Sequence, residues 1–166
     1  MDNRTRRADE QLNNRIFFRL FQLGNILHSQ SIRQLGITTV QWAVLGALSR
    51  SGSGNGVSIT ELADYLIVSR QNLNGVLNRL ERSGLLERTQ NAEDRRARLV
   101  RLTLAGTELW SELQEPIYQF YSQASSGFSL DDQAAIAHYL NQLELKLLSV
   151  KIDGGTRHSL ADDDRV

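Results

Sequence analysis

Two short helical segments joined by a tight turn and followed at once by a hairpin constrain the fold of this chain most. Ser58-Ile-Thr-Glu61 matches a capping box, in which a serine hydroxyl and a glutamate carboxylate satisfy free N–H groups at a helix start. A turn at about Ile67-Val68 leads to Ser69, a favourable N-cap for a second helix from about Arg70 to Ser83. The pattern predicts two successive short helices.

The second of these helices has two different sides. Its apolar side carries Leu73, Val76, Leu77 and Leu80, and its polar side carries Arg70, Gln71, Asn74, Asn78 and Arg82. Gly84 is placed to end it. Strands are then expected at Leu85 to Gln90 and Arg98 to Leu102, with Asp94, Arg95 and Arg96 at the tip between them. Together these segments predict a helix-turn-helix followed by a basic hairpin.

The flanking segments are helical in pattern. We predict a disordered N-terminus over residues 1–8, a dimerisation helix over 9–36, a winged helix-turn-helix over 37–103, dimerisation helices over 104–151 and a disordered tail over 152–166. The fold class is mainly α with a small β-hairpin. The terminal helices carry more apolar surface than the small central domain can cover, so we expect a homodimer.

The charge of the chain is segregated. Its net charge is zero, from 19 basic and 19 acidic residues. The segment from Leu66 to Thr103 contains eight arginines and four acidic residues, which leaves +4 there and −4 in the remainder. A local basic face of this kind attracts phosphate, and arginine also forms bidentate contacts with guanine.

These features indicate a surface that binds double-stranded DNA. In a helix-turn-helix the second helix enters the major groove, and an arginine-tipped hairpin suits the narrow minor groove. The candidate contacts are Ser69, Arg70, Gln71, Asn72, Asn74, Asn78, Arg79, Asp94, Arg95, Arg96 and Arg98. The alternatives are a solvated face for the second helix and a surface ion-pair cluster for the hairpin tip. Both are disfavoured because the helix and the hairpin follow each other directly in the sequence.

Other classes of function find no support in the residues. The absence of cysteine excludes disulfides and thiolate zinc sites, and His28, His138 and His158 lack ligand-like spacing. No phosphate loop, nucleophile elbow or metalloprotease motif occurs, so we expect neither an enzyme nor a cofactor or metal. With no membrane span or signal peptide in the pattern, a cytoplasmic location is the default expectation.

Several runs carry a family resemblance. They are Ile59-Thr-Glu-Leu-Ala, Val68-Ser-Arg-Gln-Asn, Asn78-Arg-Leu-Glu-Arg-Ser-Gly-Leu-Leu-Glu-Arg, Asp94-Arg-Arg and Leu102-Thr-Leu-Ala-Gly106. Over roughly residues 12–150 the chain resembles the MarR (multiple antibiotic resistance regulator) family. The resemblance implies an obligate homodimer on a pseudo-palindromic operator. A symmetric dimer would place its two recognition helices about one helical turn of DNA, roughly 34 Å, apart. Many members carry other residues at the positions of Arg70 and Gln71, so the operator sequence does not carry over.

The resemblance also implies repression that is relieved by a small organic effector, such as a phenolic or aromatic acid or its coenzyme A thioester. The candidate ligand contacts are Arg15, Arg19, His28, Trp42 and Trp110. An arginine would pair with an anionic group while aromatic side chains cover a ring. Plain core packing is the alternative for both tryptophans. The alternative function is a winged-helix module that docks an acidic protein partner.

Overall fold

The computed structural model describes residues 3–50, 56–90 and 98–151. In these ranges the elements are α1 Asn3–Leu35, α2 Thr39–Arg50, β1 Val57–Ser58, α3 Ile59–Leu66, α4 Arg70–Arg82, β2 Leu86–Gln90, β3 Arg98–Leu102, α5 Leu104–Ala124 and α6 Leu130–Leu148. The mainly α fold with a small antiparallel sheet confirms the predicted fold class.

Helix α1 is longer than the sequence pattern predicts. It begins at Asn3 rather than at about Asp9, so α1 includes residues 3–8 of the segment that the sequence assigns to a disordered N-terminus. That segment has no apolar stripe, and helix starts without periodicity are hard to place. The predicted tail from residue 152 and the hairpin tip at Asp94, Arg95 and Arg96 lie outside the described residues.

Local capping defines the two central helices, as predicted. Ser58 Oγ accepts the Glu61 backbone N–H at 3.1 Å, and the Glu61 carboxylate accepts the Ser58 backbone N–H at 3.1 Å. These hydrogen bonds hold the pKa of the Glu61 carboxyl below its ordinary value. Ser69 Oγ accepts the Asn72 N–H at 3.2 Å and so caps α4.

The hairpin is part of a three-stranded antiparallel sheet in the order β1-β3-β2. Strand β3 pairs with β2 from Gln90↔Arg98 to Leu86↔Leu102, and with the short β1 through Val57↔Val100. The sequence pattern predicts β2 and β3 but not β1. A strand of two residues is too short to show the alternation that predicts a strand. β1 forms only because it pairs with β3, which is distant in the sequence.

The main core lies under this sheet. It joins α2, α3, α4 and the strands through the buried residues Val44, Ala47, Leu48, Leu62, Ala63, Leu73, Val76, Leu77, Leu80, Leu86 and Val100. A second cluster of Leu45, Leu113 and Ile117 packs α2 against α5, with Trp42 and Trp110 beside it. The exposed side of α4 is therefore set by its four buried apolar residues.

The chain divides into two units, Met1–Tyr121 and Ser122–Val166. In the second unit, Ser129 is the N-cap of α6, and its hydroxyl accepts the Asp132 N–H at 3.1 Å. Large apolar side chains on α6 are exposed, among them Tyr139, Leu145 and Leu148. Within the described part of the chain, no helix combines the length and apolar character needed to cross a membrane.

Candidate nucleic-acid interface

The start of α4 is an exposed polar tip. Ser69, Arg70, Gln71 and Asn72 are all exposed, whereas Leu73, the next residue, is fully buried. Because the Ser69 hydroxyl satisfies only one of the free N–H groups of this helix start, others remain directed outward beside the polar side chains. A tip with these donors suits phosphate and base edges.

The polar side chains continue along one side of α4. Gln71, Asn74 and Asn78 follow helical spacing and lie opposite the buried apolar stripe. Gln71 and Asn78 are exposed and Asn74 is half-buried. Arg79 and Arg82 are exposed on the last turns, where the Arg82 Nε donates to the Asn78 carbonyl oxygen at 3.2 Å. The side is therefore formed by amides and flanked by guanidinium groups.

The turn between α3 and α4 is unusual at Ile67. This residue has φ 53° and ψ 45°, in the left-handed region that favours glycine. Its N–H donates to the Asp64 carbonyl oxygen at 3.3 Å, and the Val68 N–H donates to that of Ala63 at 3.1 Å. A β-branched residue in this region costs about 1–3 kcal/mol. The turn itself was predicted, but the conformation of Ile67 was not.

An ion pair attaches the sheet to α4. Arg88 Nη1 of β2 donates to Glu81 Oε2 at 2.8 Å, and the Arg88 side chain is 16% exposed. Arg88 Nε and Nη2 are buried and have no hydrogen-bond partner among the described residues. On the sheet, Arg101 Nε and Glu87 Oε1 form a more exposed pair at 2.7 Å. Two of the arginines in the +4 segment are thus paired with glutamates of the same domain, which a count of charges does not show.

The remaining hairpin candidate in the described residues is Arg98. It is exposed at the first residue of β3, directly after the undescribed tip. Because β2 is held to α4 by Arg88 and β3 pairs with β2, the base of the hairpin has a defined position relative to the polar side of α4. Helix and hairpin base therefore form one rigid candidate surface.

The candidate ligand residues lie on three helices, α1, α2 and α5. Arg15 and Arg19 are exposed on α1, where Arg19 donates to Gln22 at 3.1 Å. His28 Nδ1 lies 3.1 Å from the Thr39 hydroxyl. Trp42 packs edge-on against Phe120 and stacks on Tyr121, with ring centroids 5.7 and 5.4 Å apart.

Trp110 packs against Gly46 of α2 and lines a cavity of about 570 Å³ at the base of the sheet. The other four candidates are not among its lining residues. Arg101 and Glu87 border this cavity together with Thr107, Ser111 and Gln114 of α5. Sequence reasoning missed this cavity because its walls come from α2, the sheet and α5, which are distant in sequence.

In the described ranges, no cluster of three or more His, Asp or Glu side chains could hold a metal ion.

A capped helix-turn-helix with an amide-rich second helix and an adjoining antiparallel hairpin defines a winged-helix protein of the DNA-binding class. Comparison with known proteins agrees. A model of the MarR family matches residues 35–97. The transcriptional activatory protein BadR of Rhodopseudomonas palustris is 43% identical over 163 residues, which cover 95% of this chain and 91% of that protein. The chain belongs to the MarR family of transcriptional regulators.

Solved structures give the same fold. Sco3205 of Streptomyces coelicolor, a MarR-family regulator solved in complex with DNA, aligns with a TM-score of 0.74 at 25% identity, covering 88% of this chain and 92% of that one. Bordetella bronchiseptica BpsR, whose DNA binding is regulated by 6-hydroxynicotinic acid, aligns with a TM-score of 0.68 at 25% identity, covering 80% of this chain and 98% of that one. BadR and Sco3205 are transcriptional regulators, and this chain is a DNA-binding regulator.

Proposed function

We propose that this regulator binds a pseudo-palindromic operator as a homodimer, with α4 in the major groove and the hairpin in the adjacent minor groove. The exposed start of α4 carries the proposal. Four apolar residues anchor this helix in the core, so Ser69, Arg70, Gln71 and Asn72 are presented outward on a rigid element. Asn and Gln can pair bidentately with adenine, and Arg with guanine.

The proposed contacts divide into two kinds. Gln71, Asn72, Asn74 and Asn78 meet base edges, whereas Arg79, Arg98 and the tip residues Arg95 and Arg96 act mainly on phosphate and groove shape. Asp94 braces the arginines of the tip. For Asp94, Arg95 and Arg96 the support is their position in the sequence and in the family motif alone.

The homodimer is supported by the apolar surface of α1. Large apolar side chains are exposed there, including Phe17, Phe18, Phe21, Leu23 and Ile26. Exposed apolar surface on this scale is costly in water and is typical of an interface. A second copy of the chain would cover it and place two α4 helices on successive major grooves.

For the effector we propose an aromatic or phenolic acid or its coenzyme A thioester. The regulation of BpsR by 6-hydroxynicotinic acid, a hydroxylated aromatic acid, supports this chemistry. Arg15, Arg19, His28, Trp42 and Trp110 remain the proposed contacts, and Trp110 has the strongest support because it lines a cavity. The effector releases DNA only if its affinity differs between the DNA-competent and released states.

The direction of control has two candidates. Repression relieved by effector is our proposal, and the name of BadR, an activatory protein, favours activation as the second. The two are distinguished by fusing the regulated promoter to a reporter gene and measuring its expression in strains with and without the gene for this regulator. Loss of the gene raises expression for a repressor and lowers it for an activator.

The test of the DNA contact uses Asn72→Ala and a duplex selected by the full-length protein from a random pool. If Asn72 reads a base, the variant loses about 1–3 kcal/mol of binding free energy on the selected duplex and little on random DNA. The control is Asn141→Ala, which removes an exposed amide from α6. Equal losses of Asn72→Ala on both duplexes would contradict base reading by α4.

A further inference from the structure

The turn before α4 holds an apolar side chain in a conformation that suits glycine. Ile67 is the sole non-glycine residue with positive φ in the described ranges. Its neighbours Leu66 and Val68 pack against the core, whereas Ile67 is 61% exposed. Neither the backbone nor the packing of this domain therefore favours isoleucine here. Strained residues of this kind concentrate at functional sites.

The position of Ile67 brings it to the proposed DNA surface. It precedes Ser69, the N-cap of α4, by two residues. Two peptide units span at most about 7.6 Å between Cα atoms, so the Ile67 side chain lies at the border of the polar tip. An apolar side chain beside these polar groups needs an apolar partner to gain from burial.

The major groove offers one such partner. Each thymine presents its 5-methyl group there, and no other base carries an apolar group on that edge. We propose that Ile67 contacts the 5-methyl group of thymine at the edge of the operator half-site and is a specificity-determining residue. This inference rests on the proposed function, in which α4 enters the major groove.

The test is a thermodynamic cycle that removes the Ile67 side chain and the thymine methyl group, separately and together, and compares the DNA affinities. Full-length wild-type protein and Ile67→Asn are titrated with a selected duplex and with the same duplex carrying deoxyuridine in place of thymidine. Asparagine tolerates the left-handed conformation, so we expect an unchanged or higher Tm. On the deoxyuridine duplex the wild type should bind about 4-fold more weakly for each methyl group that Ile67 covers. Ile67→Asn should bind the two duplexes equally.

The control is Tyr65→Asn, because Tyr65 is a 62% exposed aromatic residue of α3 that lies outside the turn and outside the predicted dimerisation helices. It should lose affinity on methyl removal as the wild type does. If Ile67→Asn fails to fold, Ile67→Gly takes its place in the cycle.

An equal loss by wild type and the Ile67 variant, or no loss by either, would overturn the assignment while leaving DNA binding by α4 intact. Failure of the wild type to bind any selected duplex would overturn the proposed function, and this inference with it.

Discussion

At the scale of single residues, the two ion pairs of the domain differ in burial and therefore in effect. Arg88 of the Glu81 pair is 16% exposed, and two further donor atoms of its side chain are buried without a hydrogen-bond partner in the part of the chain that the structure describes. In the Arg101–Glu87 pair both side chains are more than 40% exposed, at 42% and 47%. Exposed pairs contribute little, whereas loss of one partner leaves a buried charge uncompensated.

We expect Glu81→Gln to lower the free energy of unfolding by about 1–3 kcal/mol, because it leaves the Arg88 guanidinium without its counter-charge. Urea unfolding measures the change. The matched control is Glu87→Gln, which breaks the exposed pair and should cost less than about 1 kcal/mol. Equal losses in the two variants would show that burial of Arg88 is not the deciding factor.

Residue chemistry was predictable where it is local. Ser58, Glu61 and Ser69 cap helices at the predicted positions because capping depends on residues three or four apart. The pairing of Arg88 with Glu81 and the left-handed conformation of Ile67 were not predictable. Both depend on how α3, α4 and the sheet meet, which leaves no periodic signal in the sequence.

At the scale of elements, α4 combines an anchored side with an open one. Its apolar stripe is buried, and Gly75 lies on the exposed side between Asn74 and Asn78. A Cβ atom built at Gly75 would meet no atom of the described residues within 4 Å. Glycine inside a helix costs stability without a packing reason here, so close approach of DNA is the explanation that we propose.

We expect Gly75→Ala to raise the free energy of unfolding by about 0.5–1 kcal/mol, because alanine has the higher helix propensity. The same variant should bind the selected duplex several-fold more weakly, because its methyl group would meet the groove. Thermal unfolding and a DNA titration measure the two effects. A stability gain with unchanged DNA affinity would place this side of α4 away from DNA.

Elements were predictable where periodicity is strong. Helix α4 and strands β2 and β3 lie within one or two residues of their predicted bounds. The missed strand β1 spans two residues and depends on β3, because Ser58 pairs with Leu99 and Val57 with Val100, which lie 41 and 43 residues further along the chain. The first turns of α1 were missed because they are polar on every side.

At the scale of the whole molecule, exposed apolar surface on α1 points to assembly. Phe21 is 66% exposed in the single chain, with Phe17 and Phe18 beside it. Wide apolar faces on the terminal helices were evident in the sequence. Which residues face a second copy was not evident, since exposed apolar side chains occur on more than one side of α1.

We expect Phe21→Glu to shift the protein from dimer to monomer and to weaken operator binding, because a carboxylate would be buried in an apolar interface. Sedimentation velocity measures the oligomeric state. The control is Gln34→Glu, which adds the same charge to an exposed polar position of α1 and should remain dimeric. A dimeric Phe21→Glu variant would remove Phe21 from the interface.

The central claim is that α4 and its hairpin read DNA. The most direct test is a titration of the full-length protein with a selected duplex and a scrambled duplex over a range of salt concentrations. We predict a preference of at least about 10³-fold for the selected duplex, and a logarithm of affinity that falls linearly with that of salt concentration. Equal affinities for the two duplexes, or no complex at low salt, would contradict the claim.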